Sequence, residues 1–197
     1  MELVIVDKNN YKEAIEVQKS IFPTEDGTLN ILASIDRDLF IEKTGMYYED
    51  DNIKYYLAKI DNKYVGITGI YNYDPDSAWL GWFGILDEYK NKGLGTLLLK
   101  ETINLAAAKN FKHMRLYTDF NGNSNAIKLY EKIGFIGEKY TAEKLSYDCR
   151  IYSKSITDNN CVLWNNKNLN LIYQSELDHP NKDRISEILK IYDDMFK

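Results

Sequence analysis

Cysteine is almost missing from the sequence: Cys149 and Cys161 are the only two in 197 residues, and no C-x-x-C pair occurs. That excludes a disulfide scaffold and predicts free thiols in a reducing, cytoplasmic setting. Histidine is as scarce, at His113 and His179. No metal-ligand spacing and no Ser-His-Asp or Cys-His triad is visible, so no metal is expected. Three prolines and no Gly/Ser-rich stretch leave the chain without a visible linker. The longest apolar run, residues 78–86, is nine long and includes two glycines; a membrane helix needs about 20. The start, Met-Glu-Leu-Val-Ile-Val-Asp, shows neither basic leader nor apolar signal core, so export is not expected. Basic excess is missing too. There are 25 Lys+Arg against 30 Asp+Glu, a formal net charge of −5, and this argues against broad nucleic-acid binding.

What is present is a globular composition, 44% hydrophobic and 28% charged, long enough for one domain with an appendage. Strands and helices alternate. A strand at 3–6 precedes a helix whose start, Asn10 with Glu13, resembles a capping box. Phe22-Pro23 stops that helix. Thr28 is read as the cap of a second helix carrying Leu32, Ile35 and Leu39. Residues 45–52 read as a polar loop. Strands at 55–60 and 64–73 join at Asp61-Asn62-Lys63 as a hairpin, and 79–85, apolar on both faces, reads as a central strand. A helix at 93–110, so apolar that packing on more than one side is expected, leads to a strand at 114–118 and a turn at Asn121-Gly122. A helix at 124–133 follows, with Gly134 as its left-handed cap. Strands near 136–142 and 150–156 close a mixed α/β layer architecture with crossovers on one sheet. Residues 1–156 form the expected domain. Residues 157–197 form an extension: a hairpin (161–164 and 169–173) and a helix (184–196). Its apolar residues are too many to leave in water, so it is expected to pack on the domain, covering a cleft or forming a homodimer contact.

Two segments carry chemistry. The first is Ile85-Leu86-Asp87-Glu88-Tyr89-Lys90-Asn91-Lys92-Gly93-Leu94-Gly95-Thr96, between the buried strand and the apolar helix. Glycines at 93 and 95 let backbone approach a ligand, and successive N–H groups and the helix's positive end converge on one point. Lys90 and Lys92 add charge and Thr96 a hydroxyl, so the segment reads as an anion cradle. It is neither a P-loop nor a G-x-G-x-x-G fingerprint, because Leu98 occupies the third glycine position. The second segment is Asn123-Ser124-Asn125-Ala126-Ile127-Lys128-Leu129-Tyr130-Glu131-Lys132-Ile133-Gly134-Phe135. Asn123 is a good N-cap. Ala126, Tyr130 and Ile133 share a face, and Tyr130 read alone is a packed tyrosine with a satisfied hydroxyl.

Together the segments resemble the GNAT superfamily of acetyl-CoA-dependent N-acetyltransferases. Lys90-x-x-Gly93-x-Gly95 matches its [Gln/Arg]-x-x-Gly-x-[Gly/Ala] motif. Asn123, Ala126, Tyr130, Gly134 and Phe135 match its Asn-x-x-Ala-x-x-x-Tyr-x-x-x-Gly-Phe motif. The resemblance spans about residues 1–156 and does not reach 157–197. It implies the acyl-CoA N-acyltransferase fold and acetyl transfer from acetyl-CoA to a primary amine by direct attack. By the same resemblance, the amides of residues 91–96 hold the pyrophosphate, and backbone at Phe83 and Ile85 holds the pantetheine arm and acetyl carbonyl. Asn123 contacts the coenzyme, and Tyr130 protonates the leaving thiolate. Lys90 replaces the family's Gln or Arg, keeping charge without the guanidinium fork. The family's strand-four glutamate has no counterpart here, so no base is assigned. The resemblance sets the acceptor, a small-molecule or peptide amine, near residues 22–28, Tyr47, Tyr48, Glu49 and the strand near 140–147. The alternative is a sensor that binds acetyl-CoA without turnover.

Overall fold

The computed structural model describes residues 1–46, 53–119, 124–140, 149–158, 160–167 and 182–196. Seven strands form one sheet in the order β1-β2-β3-β4-β5-β7-β6. The strands are β1 (Glu2–Ile5), β2 (Lys54–Ile60), β3 (Lys63–Asp74), β4 (Ser77–Ile85), β5 (His113–Asp119), β6 (Ile136–Tyr140) and β7 (Cys149–Ser155). All pairs are antiparallel except β4–β5. The helices are α1 (Tyr11–Ile21), α2 (Thr28–Ile35), α3 (Arg37–Thr44), α4 (Leu94–Ala108), α5 (Ser124–Ile133) and α6 (Lys182–Met195). Among the described residues no helix is long and apolar enough to cross a membrane.

The sheet is covered on both faces. One core joins α1, α2 and Phe40 of α3 to Tyr55, Leu57, Ile67, Tyr71 and Trp79. The other joins α4 and α5 to Ile70, Ala78, Leu80, Met114 and Leu116. Strand alternation sorts them: Trp79 points one way, Ala78 and Leu80 the other. Asp61 and Asn62 adopt φ of 48° and 62°, the left-handed pair that a two-residue hairpin turn demands. Gly134 has φ 95°, and Phe135 N donates to Tyr130 O at 3.0 Å, closing α5 with a left-handed cap.

Several expectations give way. The single helix through Leu32, Ile35 and Leu39 is broken at Asp36, whose extended backbone and side chain cap α3 by accepting from Leu39 N at 3.0 Å. Thr28 is the first residue of α2, with Gly27 at the cap position. Asn10 precedes α1 without capping it; its side chain instead bonds Asp7 N and Ile5 O. Helix α4 buries one face, through Leu98, Leu99, Thr102 and Ala106, while Leu97 is exposed.

In the extension, 161–164 is not a strand, and Trp164–Lys167 is a short 3-10 turn. The backbone N–H groups there find side-chain acceptors instead of a partner strand. Val162 N donates to His113 Nε2 at 3.2 Å, and Trp164 N and Asn165 N donate to the Glu138 carboxylate at 2.5 and 3.1 Å. The other hairpin arm, 169–173, lies outside the described residues. Trp164, Ile188 and Tyr192 are fully buried in the core that also holds α1 and α2.

Candidate active site

Strands β4 and β5 pair over only three positions, Ser77↔His113 to Trp79↔Arg115. Beyond Trp79 the β4–β5 pairing ends, and among the described residues the edge of β4 toward β5 has no ladder partner from Leu80 onward. Against β3, the register slips by one residue between the pairs Gly69↔Gly81 and Ile67↔Gly84, a bulge that falls at Trp82 and Phe83. Trp82 has φ 28°, a conformation that costs a bulky residue free energy and clusters at functional sites.

Past the end of β4 the chain runs through Asp87–Tyr89 into the start of α4. Asn91 and Gly93 have φ of 61° and 77°, which turns the chain sharply into the helix. The first i→i−4 bond of α4 runs from Leu97 N to Gly93 O at 3.1 Å. The amides of Leu94, Gly95 and Thr96 therefore precede the ladder. A Cβ built on Gly93 would meet nothing within 4 Å, and one on Gly95 only Leu129 Cδ2, at 3.7 Å. The glycine faces are thus open, with Leu129 of α5 the one neighbour of Gly95 among the described residues. Lys90 Nζ is 2.5 Å from Asp87 Oδ1, and Lys92 Nζ donates to Glu88 O at 2.9 Å while lying over the Tyr89 ring. Both lysines thus lie in the turn that leads into α4. Free amides, a helix's positive end and two lysines fit the phosphates of a nucleotide-like ligand.

At the β4 bulge, the Phe83 and Tyr130 rings stand 6.3 Å apart between centroids. Tyr130 also packs on Phe135 and Tyr152. It is 7% exposed, and burial pushes its hydroxyl pKa up, so the phenol keeps its proton at any physiological pH. Ile85 is buried at the end of β4, paired with Gly66. Phe83 and Ile85 thus lie at the end of β4, Lys90, Asn91, Lys92, Gly93, Leu94, Gly95 and Thr96 in the turn and first residues of α4, and the structure brings Phe83 of this set against Tyr130. Asn123 lies outside the described residues, as do Tyr47, Tyr48, Glu49 and residues 141–148.

The matched model of the Acetyltransferase (GNAT) family covers residues 18–135. The chain belongs to this family. A spermine/spermidine N(1)-acetyltransferase of Bacillus subtilis is 32% identical over 102 residues, 49% of this chain and 60% of that protein. The chain therefore matches 60% of that relative's length, less than two thirds. A ribosomal-protein-alanine N-acetyltransferase from Escherichia coli shares the fold with a TM-score of 0.59 at 15% identity, over 86% of this chain and 99% of that one. A ribosomal-protein α-N-acetyltransferase in complex with coenzyme A aligns with a TM-score of 0.58 at 13% identity, over 78% and 92%.

On the far side of β4 from Tyr130 is a group the sequence reading missed. Gln18 is fully buried beside Trp82 and Gly27. It was visible as a polar residue on the apolar stripe of α1, one turn from Ala14.

Proposed function

We propose that the protein is a GNAT N-acetyltransferase that moves an acetyl group from acetyl-CoA to a primary amine by direct attack. The observation that carries this is the conjunction at β4: its bulge sets Phe83 against Tyr130 of α5, and its end leads through the left-handed Asn91 and Gly93 into α4, whose first amides lie outside the helical ladder. Family membership and the polyamine relative support the reaction class. Acetyl-CoA supplies an activated thioester. In this reading the amides of residues 91–96, with Lys90 and Lys92, hold its pyrophosphate. The unladdered edge of β4 at Phe83 and Ile85 aligns the pantetheine arm and polarises the acetyl carbonyl through backbone N–H groups. Asn123 contacts the coenzyme from the start of α5. Tyr130 donates its proton toward the leaving sulfur.

Most of the acceleration then comes from holding amine and thioester together. No protein nucleophile is required, in keeping with the burial of Cys149. Two cysteines that form no disulfide support a cytoplasmic location. Free thiol release from acetyl-CoA, measured across polyamines, amino acids, aminoglycosides and peptides, tests the proposal. Turnover with one or more amines is expected. Coenzyme binding without turnover on any of them would establish the sensor instead.

A further inference from the structure

Helix α1 and the connection to α2 cover the face of β4 opposite Tyr130. There the bulge residue Trp82 donates its indole N–H to Asn30 Oδ1 at 3.1 Å and meets Phe22 edge-on, ring centroids 5.2 Å apart. A Cβ built on Gly27 would stand 2.6 Å from Trp82 Nε1 and 3.0 Å from Gln18 Cδ, so indole and carboxamide flank one point. Gln18 is 0% exposed, yet neither Oε1 nor Nε2 has a hydrogen-bond partner. Sequestering an amide with no bond made costs stability that an apolar side chain of the same length would not. The cover above it is thin: Pro23, Thr24 and Glu25 are exposed.

We propose that Gln18 recognises the acceptor amine, its Oε1 accepting an N–H while the Trp82 and Phe22 rings flank the alkylamine, in a form in which residues 22–27 have lifted from Trp82. This rests on the acetyl-transfer reading above. Placement favours it. Gln18 and Tyr130 lie on opposite faces of the bulge, so the amine approaches the thioester from one side while sulfur leaves on the other. The chemistry favours it as well. A carboxamide accepts from ammonium and from neutral amine alike, whereas a carboxylate would stabilise the ammonium form and hold on to the proton that must be lost before attack. The rings add cation–π attraction for the charged form. Asp26 is tied to Thr28 N at 3.0 Å and to Lys19 at 3.2 Å, so it serves the connection's closed shape and not the amine.

Two variants test this, with spermidine as the amine, or the first amine of the panel that the parent acetylates. Gln18→Met keeps length and deletes both amide groups. Its KM for the amine should rise at least tenfold, its calorimetric affinity for acetyl-CoA should stay within twofold, and its melting temperature should rise. Gln18→Glu keeps the oxygens and adds charge, so the rise of rate with pH should shift to higher pH. An amine KM for the Met variant within threefold of the parent overturns the proposal, whatever the melting temperature does. If the Met variant does not fold, an unshifted pH profile in the Glu variant overturns it. A parent that acetylates no amine at all refutes the reaction itself, a separate outcome seen without any variant.

Discussion

Tyr130 shows how one side chain answers to two demands. Its ring packs against Phe83, Phe135 and Tyr152, and in the proposed mechanism its hydroxyl serves the leaving sulfur. Burial raises its pKa, which keeps the proton in place but makes full transfer to a thiol of pKa about 8.5 uphill. In the proposed mechanism, donation would therefore strengthen only as charge builds on sulfur, an interaction realised in the transition state. Tyr130→Phe keeps the ring and removes the donor. Turnover should fall by about 10²–10⁴-fold, with acetyl-CoA affinity nearly unchanged. A Phe variant within about threefold of the parent rate at saturating substrates would remove the hydroxyl from the mechanism. The pH dependence has a definite sign. Because the folded pKa lies above the unfolded value near 10, the native state holds a proton that the unfolded chain loses first. Stability contributed by the buried phenol is whole below about pH 10 and is lost as pH rises further. The parent-to-Phe rate ratio should accordingly stay flat from about pH 8 to 10. A ratio that declines with a midpoint below 10 would contradict a buried, protonated donor.

The start of α4 is decided by local chain geometry, which is why its sequence was legible. Gly93 at φ 77° sits where a side chain costs about 1–2 kcal/mol in backbone strain, yet a Cβ there touches nothing. Gly93→Ala therefore isolates the strain, and Gly93→Glu adds a carboxylate before the free amides. Relative to the Ala variant, the Glu variant should lose at least tenfold in acetyl-CoA affinity, about 1.4 kcal/mol, with both folded. Equal affinities measured by calorimetry would take the anion cradle out of the coenzyme site. The Gly134 cap of α5 and the Asp61-Asn62 turn were legible for the same reason: a left-handed backbone announces itself in glycine, asparagine and aspartate. The break at Asp36 was hidden because an aspartate within an apolar stripe reads equally well as a solvent-facing position. The shape of 161–167 was hidden more deeply. Its N–H groups are satisfied by His113 and Glu138, on strands distant in sequence, and no local pattern encodes such partners. Gln18 escaped because a single amide on an apolar face gives no hint of whether its bonds are made.

At the scale of the molecule, the segment that follows β7 is tied into the fold through Trp164, Ile188 and Tyr192, all fully buried, and Trp164 reaches furthest toward the candidate site. Trp164 meets the Trp79 ring edge-on at 4.9 Å and lies against the Arg115 guanidinium, 5.5 Å from its ring centroid. Arg115 itself is fully buried, with Nε on Ser77 Oγ at 2.9 Å and Nη1 on Ser153 Oγ at 2.6 Å, so it ties β4 to β7 across β5. Trp79 and Arg115 are the last β4–β5 pair before the strands part. Trp164 therefore braces the apex of the opening from the face away from α4, while Glu138 holds its backbone. Trp164→Ala would leave a large void against a buried cation. Core tryptophan truncations cost about 3–5 kcal/mol, and in a chain of this size each kcal/mol moves the melting temperature by about 2–4 °C. A drop of roughly 6–20 °C is expected in a thermal melt, together with lower turnover because the apex positions the bulge. A variant melting within about 2 °C of the parent would mean that the extension rests on the domain without bracing it, and that the opening between β4 and β5 is held by the sheet alone.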